Sequence, residues 1–170
     1  QADLVAVAGF AGQGGDASAP PLLQQLPLWA PPHTATVFSA DRFAQEAAVD
    51  TLRPLVGGTA PVFDALGAAL TLTAAQAPAT GRRAIVALLG GGDDSGLSES
   101  QRHAALASLR QQQADTGIQV VLIAGRLDVE SVERRNLAEL AAALRAPIIY
   151  SGYPKDWREK GDGLYSALDL

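Results

Sequence analysis

Apolar residues fall along this chain in two rhythms. Short unbroken runs mark strands buried on both faces, and apolar positions three and four apart mark helices. Leu4–Ala8, Arg83–Leu89, Ile118–Ala124 and Pro147–Tyr150 are runs of the first kind, and Thr34–Phe38 is a further strand candidate. Between them the helical spacing recurs. Asp41 is placed to cap a helix over Arg42–Leu55, with Phe43, Ala47 and Leu52 inward. A second helix opens at Pro61 and runs to about Ala75, with Val62, Leu66, Ala69 and Leu70 on one face. Ser98-Glu99-Ser100-Gln101 fits a capping box and starts a third, to about Ala114. Asp128 caps a fourth, from about Val129 to Leu144. Leu22, Leu23 and Leu26 suggest a short helix that Pro27 ends, and Gly161–Leu170 reads as the start of a final helix. Strands alternating with helices predict right-handed crossovers and an α/β fold. The expectation is a mainly parallel central sheet of five to six strands with helices on both faces.

Composition narrows the function. The 170 residues are 48% hydrophobic, enough for one domain with a sizeable core. A net charge of −5 with no basic cluster argues against nucleic-acid binding through phosphates. The apolar runs are too short to cross a bilayer, so no membrane insertion is expected. With no cysteine, disulfides, thiolate metal sites and a cysteine nucleophile are excluded. The lack of cysteine says little about compartment, because many bacterial envelope proteins also lack it; the lean is towards the bacterial cell envelope or secretion. The chain begins at Gln1 and contains no methionine. It is expected to be a single domain over 1–170, excised from a longer chain, or a mature chain whose start was removed.

The rest of the chain is organised around Gly57-Gly58-Thr59-Ala60-Pro61-Val62-Phe63-Asp64-Ala65-Leu66, a glycine turn leading into a helix. Thr59 lies where a helix start needs a side-chain oxygen. This stretch resembles the threonine loop of the von Willebrand factor A (VWA) family, where three loops hold a divalent ion. The resemblance extends over nearly the whole chain. Asp3-Leu4-Val5-Ala6-Val7-Ala8 is similar to the family's first strand, and Leu88-Leu89-Gly90 stands at the end of its fourth. It implies a three-layer, Rossmann-like sandwich with Leu4–Ala8 and Ala84–Leu89 as adjacent central strands. It also implies an antiparallel edge hairpin, for which residues 13–57 leave little room, so that hairpin is expected to be reduced or absent.

The ligands themselves have gone. Where the family has Asp-x-Ser-Gly-Ser, this chain has Gly9-Phe10-Ala11-Gly12-Gln13. Gly9 replaces the aspartate, Ala11 and Gln13 replace the serines, and Gly12 is kept. Gly90 replaces the aspartate of the third loop, and Asp93 and Asp94 follow three and four residues later. Gly58 and Thr59 alone survive as a family loop. Mg²⁺ needs near-octahedral oxygen donors with carboxylates among them. A degenerate metal site is therefore expected, with no metal and no cofactor. Thr59 is left to cap its own helix.

A rival reading uses the loop Gly9–Gly15. Gly12-Gln13-Gly14-Gly15-Asp16-Ala17 satisfies the dinucleotide fingerprint, and Gly9–Gly14 resembles the glycine loop of 2-oxoacid:ferredoxin oxidoreductase gamma chains. The fingerprint must open a helix, and the next segment is rich in proline. No Gly-x-Ser-x-Gly elbow or P-loop exists. His33 and His103 read as surface residues, and Glu133, Arg134 and Arg135 as a solvated helix face. Trp29 and Trp157 read either as interface aromatics or as cover for the sheet. The sequence therefore points to a non-enzymatic domain that binds another protein or another domain of its own chain. A purely structural module and a nucleotide-binding domain are the alternatives.

Overall fold

The computed structural model describes residues 4–11, 22–25, 38–51, 60–78, 80–90, 96–125 and 132–150. Over these the elements are β1 (Ala8–Ala11), β2 (Leu22–Gln25), α1 (Arg42–Thr51), α2 (Val62–Gln76), β3 (Ala84–Leu89), α3 (Glu99–Thr116), β4 (Gln119–Ala124), α4 (Val132–Leu144) and β5 (Ile148–Tyr150). The fold is α/β. Strands β3, β4 and β5 lie side by side in that order as a parallel sheet, and β1 and β2 form a separate antiparallel pair. Ile85 sits opposite Val120, Ala87 opposite Leu122, and Leu122 in turn opposite Ile148. Helices α3 and α4 are the crossovers that parallel pairing demands.

Alternation along the strands decides which face meets the helices. Leu89, Val120, Leu122 and Ala124 belong to the core, and Ile85, Ala87 and Ile148 pack against it. These residues share one face of the sheet. The helical members of the same core are Val62, Phe63, Leu66 and Leu70 from α2, Leu106 and Leu109 from α3, and Leu137, Leu140, Ala141 and Leu144 from α4. All three helices therefore cover that one face, with α3 between α2 and α4. Gln112 ties the layer together by donating to the Gly67 carbonyl at 3.1 Å and to Thr71 Oγ1 at 2.7 Å.

Helix ends follow local chemistry. Ser98 Oγ accepts from Gln101 N at 3.4 Å, and Gln101 Oε1 accepts from Ser98 N at 2.9 Å, completing the capping box. Gly117 ends α3 in the left-handed region at φ 66. At the end of α4 the same conformation falls to Arg145, with φ 48. There Ala146 N donates to Ala141 O and Arg145 N to Ala142 O, the Schellman pattern without its usual glycine. Asp41 Oδ1 accepts from Phe43 N at 2.9 Å, so α1 is capped as expected. Helix α2 begins later than expected. Its N-cap is Pro61, without a side-chain cap, and Thr59 lies outside the described residues.

Among the described residues the parallel sheet has three strands, and five to six are not shown. Four expectations need correction. Residues 4–8 are not a strand beside β3. The first strand starts at Ala8 and pairs antiparallel with β2, while Val5 bridges to Ser39 and is 40% exposed. Pairing across a short connection costs less loop-closure entropy than reaching β3. Leu22 and Leu23 lie in β2 instead of a helix, where they pair with Ala11 and Phe10 of β1. Finally, the described helices α2–α4 share one face of the sheet rather than two, and Phe43 of α1, expected inward, is 82% exposed. Thr34–Val37, Asp128 and Gly161–Leu170 lie outside the described residues.

Candidate functional site

The carboxyl end of a parallel sheet is where open α/β folds carry their sites. Here β3 leaves into Gly90 and β4 into Gly125, and the two exits touch. Gly125 N donates to Leu89 O at 2.9 Å, and a Cβ on Gly125 would lie 3.8 Å from the Gly90 carbonyl. Gly90 is exposed, and a Cβ built on it meets nothing within 4 Å. Gly90, where the resemblance leads to the expectation of a lost aspartate, therefore has room for a side chain and offers no side-chain oxygen.

The other residues expected at this end divide into two groups. Gly9 and Ala11 are strand residues of β1, opposite Gln24 and Leu22, rather than members of a loop. Gly12, Gln13, Gly58, Thr59, Asp93 and Asp94 lie outside the described residues, and with them the convergence of the three loops. Gly9, Ala11 and Gly90 offer no side-chain oxygen, so they do not fit a hard-cation centre. Among the described residues no group of three or more His, Asp or Glu is placed to hold a metal.

The second feature leaves no mark in the apolar pattern of the chain. Ala84, Val86 and Leu88 point away from the helices. Val86 is 42% exposed and Leu88 is 66% exposed, although both lie in an uninterrupted apolar run. On the same face Val121 and Ile149 are half-buried, while Ile123 is buried. The run Ala84–Leu89 contains no polar residue, so nothing in its pattern distinguishes a strand covered on one face from one covered on both. Exposed apolar side chains in a row at a sheet margin make this face a candidate contact surface.

Small-molecule chemistry finds less support in the geometry. A cleft of about 210 Å³ lies at the amino end of β3, lined by Leu4, Phe38, Thr73, Arg82 and Arg83 among others. It is smaller than the roughly 300–1,000 Å³ of ordinary ligand pockets, and it sits at the end of the sheet opposite the usual site. Its Arg83 guanidinium is committed to the Thr116 carbonyl at 2.6 Å. The dinucleotide fingerprint needs a parallel strand–helix–strand unit, whereas β1 pairs antiparallel with the next described strand. His103 is exposed on α3, as expected. Arg134 departs from expectation, because its guanidinium stacks over the Tyr150 ring, 4.5 Å from the centroid. Arg102 of α3 donates to Asn136 Oδ1 of α4 and lies 3.4 Å from Glu139, a pin between two helices rather than a site. No described helix is long and apolar enough to cross a membrane. His33, Trp29 and Trp157 lie outside the described residues. No family model matches this chain, and no curated protein matches it either.

Proposed function

We propose that this chain is a non-enzymatic protein-binding or scaffold domain of VWA type that has lost its divalent-metal site. Its partner is another protein or another domain of the same polypeptide. The reading rests chiefly on the exposed apolar strip of β3, where Leu88 is 66% exposed one residue from the carboxyl end of the strand. It is supported by Gly90, which places a hydrogen where the family resemblance puts a metal-binding carboxylate. A contact made without an ion must use ordinary surface area, and apolar side chains supply it.

Two measurements test this. A thermal-shift screen with Mg²⁺, Mn²⁺, NAD and ATP is expected to leave the melting temperature unchanged, because a ligand of the native state raises it. A shift with NAD or ATP would favour the nucleotide-binding alternative. A photo-crosslinking amino acid at Leu88 is expected to give a discrete adduct with the partner that persists in EDTA. The same probe at Arg110, on the exposed side of α3, should give none. Adducts that vanish in EDTA, or that form equally from both positions, would refute the proposal.

A further inference from the structure

The exposed side chains of β3 coincide with a second property of the same residues. In a parallel pair, alternate residues of a strand direct both backbone groups to one neighbour. Gln119 N donates to Arg83 O at 3.0 Å and Gly125 N to Leu89 O at 2.9 Å, which fixes the phase of the ladder. With Ile85 opposite Val120, residues 83, 85, 87 and 89 therefore bond to β4. The N–H and C=O groups of Ala84, Val86 and Leu88 point the other way. Strand β3 is the outer member of the sheet, and among the described residues nothing pairs with that edge. The three residues with outward backbone groups are thus the three with exposed apolar side chains.

We infer that the partner docks as an extended strand on the outer edge of β3, extending the sheet by one strand. This rests on the protein-binding reading above and specifies its mode. Three N–H groups and three carbonyls in alternation are complementary to one kind of object, another β-strand presenting its own alternating donors and acceptors. The side chains narrow the choice. Val86 and Leu88 form an apolar shelf on the open face, so the incoming strand needs apolar residues at every second position. Sheet edges are ordinarily protected by lysine, proline or a bulge. Ala84-Ile85-Val86-Ala87-Leu88-Leu89 has none of these residues.

The test uses the full chain and a fluorescein-labelled peptide of alternating valine and threonine. Hydrogen exchange of the free protein is measured first. The amides of Val86 and Leu88 are expected to exchange fast and those of Ile85, Ala87 and Leu89 slowly. Equal protection of all five means the chain itself occupies the edge, which overturns the inference. Peptide binding, read by fluorescence anisotropy, should slow Val86 and Leu88 exchange selectively. It should weaken at least about tenfold on methylating every second peptide nitrogen, and by a similar factor with Val86→Lys. Val86→Pro removes an outward N–H while sparing the bonds to β4, and should act likewise. Where that variant does not fold, Val86→Lys carries the test. Binding that tolerates the methylated peptide means side-chain docking alone, which refutes strand addition and leaves the protein-binding reading standing. No binding at about 1 mM peptide also refutes strand addition. Loss of the Leu88 crosslink described above instead removes the protein-binding reading itself.

Discussion

Leu88 and Leu89 are adjacent leucines on opposite faces of one strand, so the same substitution at each reads the one-sidedness of the sheet directly. Leu88 is 66% exposed and Leu89 is 4% exposed. Full burial of a leucine side chain is worth about 1.5–3 kcal/mol, so the buried third of Leu88 contributes about 0.5–1 kcal/mol. Leu88→Ala should cost no more than that, because the site is open and leaves no cavity. Leu89 packs in the core with Leu122 and Ala124 on one side and the helices on the other. Leu89→Ala removes the transfer term and leaves a void, together about 3 kcal/mol. In a domain of this size each kcal/mol moves the melting temperature by about 2–4 °C. Leu88→Ala should therefore lower it by about 1–4 °C and Leu89→Ala by about 6–12 °C.

Urea unfolding followed by far-ultraviolet circular dichroism measures both differences. The midpoint should move while the slope stays constant, which identifies a change in native-state stability rather than in compactness. Equal losses of about 3 kcal/mol at both positions would refute the reasoning. They would mean that the open face is covered in solution, and that the expected second helical layer exists there after all.

Other perturbations test particular contacts. Ser98→Ala removes the side-chain half of the capping exchange, the Oγ that accepts from Gln101 N, while the residue 98 N–H still reaches Gln101 Oε1, and should cost about 1 kcal/mol in the same urea assay. Arg145→Gly relieves a left-handed backbone at φ 48 and should stabilise by about 1 kcal/mol, seen as a higher melting temperature. Arg134→Ala removes the guanidinium stacked on Tyr150; it should cost about 0.5–1 kcal/mol, read as a lower urea midpoint. Titration calorimetry of the unmodified domain with Mg²⁺ and Mn²⁺ should show no stoichiometric binding. Micromolar binding abolished by Thr59→Ala would overturn the degenerate-site reading and bring Asp93 or Asp94 back as ligands.

The middle and end of the fold were legible in the sequence because several local signals agreed there. Strands β3, β4 and β5 appeared as apolar runs, and α3 was announced by Ser98 and Gln101. The amino-terminal third was not, because Leu4–Ala8 carries no mark of its pairing partner. A strand's neighbour is a long-range property, while periodicity is local. The open face of β3 was invisible for a related reason. Ala84, Val86 and Leu88 are as apolar as Ile85, Ala87 and Leu89, so composition is silent about which row meets the helices. Arg145 in a left-handed turn was equally unreadable, since an arginine gives no hint of positive φ. Of the residues singled out, Gly90 follows the last residue of β3. Gly9 was expected in a loop and lies within a strand.

Gly90 also separates two reasons why a carboxylate can be missing. A glycine is enforced by the backbone when φ is positive or when a neighbour crowds the Cβ position. Gly81, Gly96 and Gly117 have positive φ; Gly90 is not among them, and its Cβ position is open. The fold therefore has room for an aspartate at this point, and no backbone or packing constraint enforces the glycine. Gly90→Asp should accordingly fold with stability within about 0.5 kcal/mol of the parent. It should still bind no Mg²⁺, because a single carboxylate, with no side-chain oxygen at Gly9 or Ala11 to add to it, leaves the coordination sphere short of oxygens. Adding Gly9→Asp, Ala11→Ser and Gln13→Ser supplies the missing donors. Calorimetry of that combined variant then asks only whether β1 can bring them to Gly90. Binding there would show that the architecture of the ion site outlived its ligands. Failure of a folded variant to bind would show that the β1–β2 pairing holds those donors elsewhere, and contact through the edge of β3 would be left as the means of recognition.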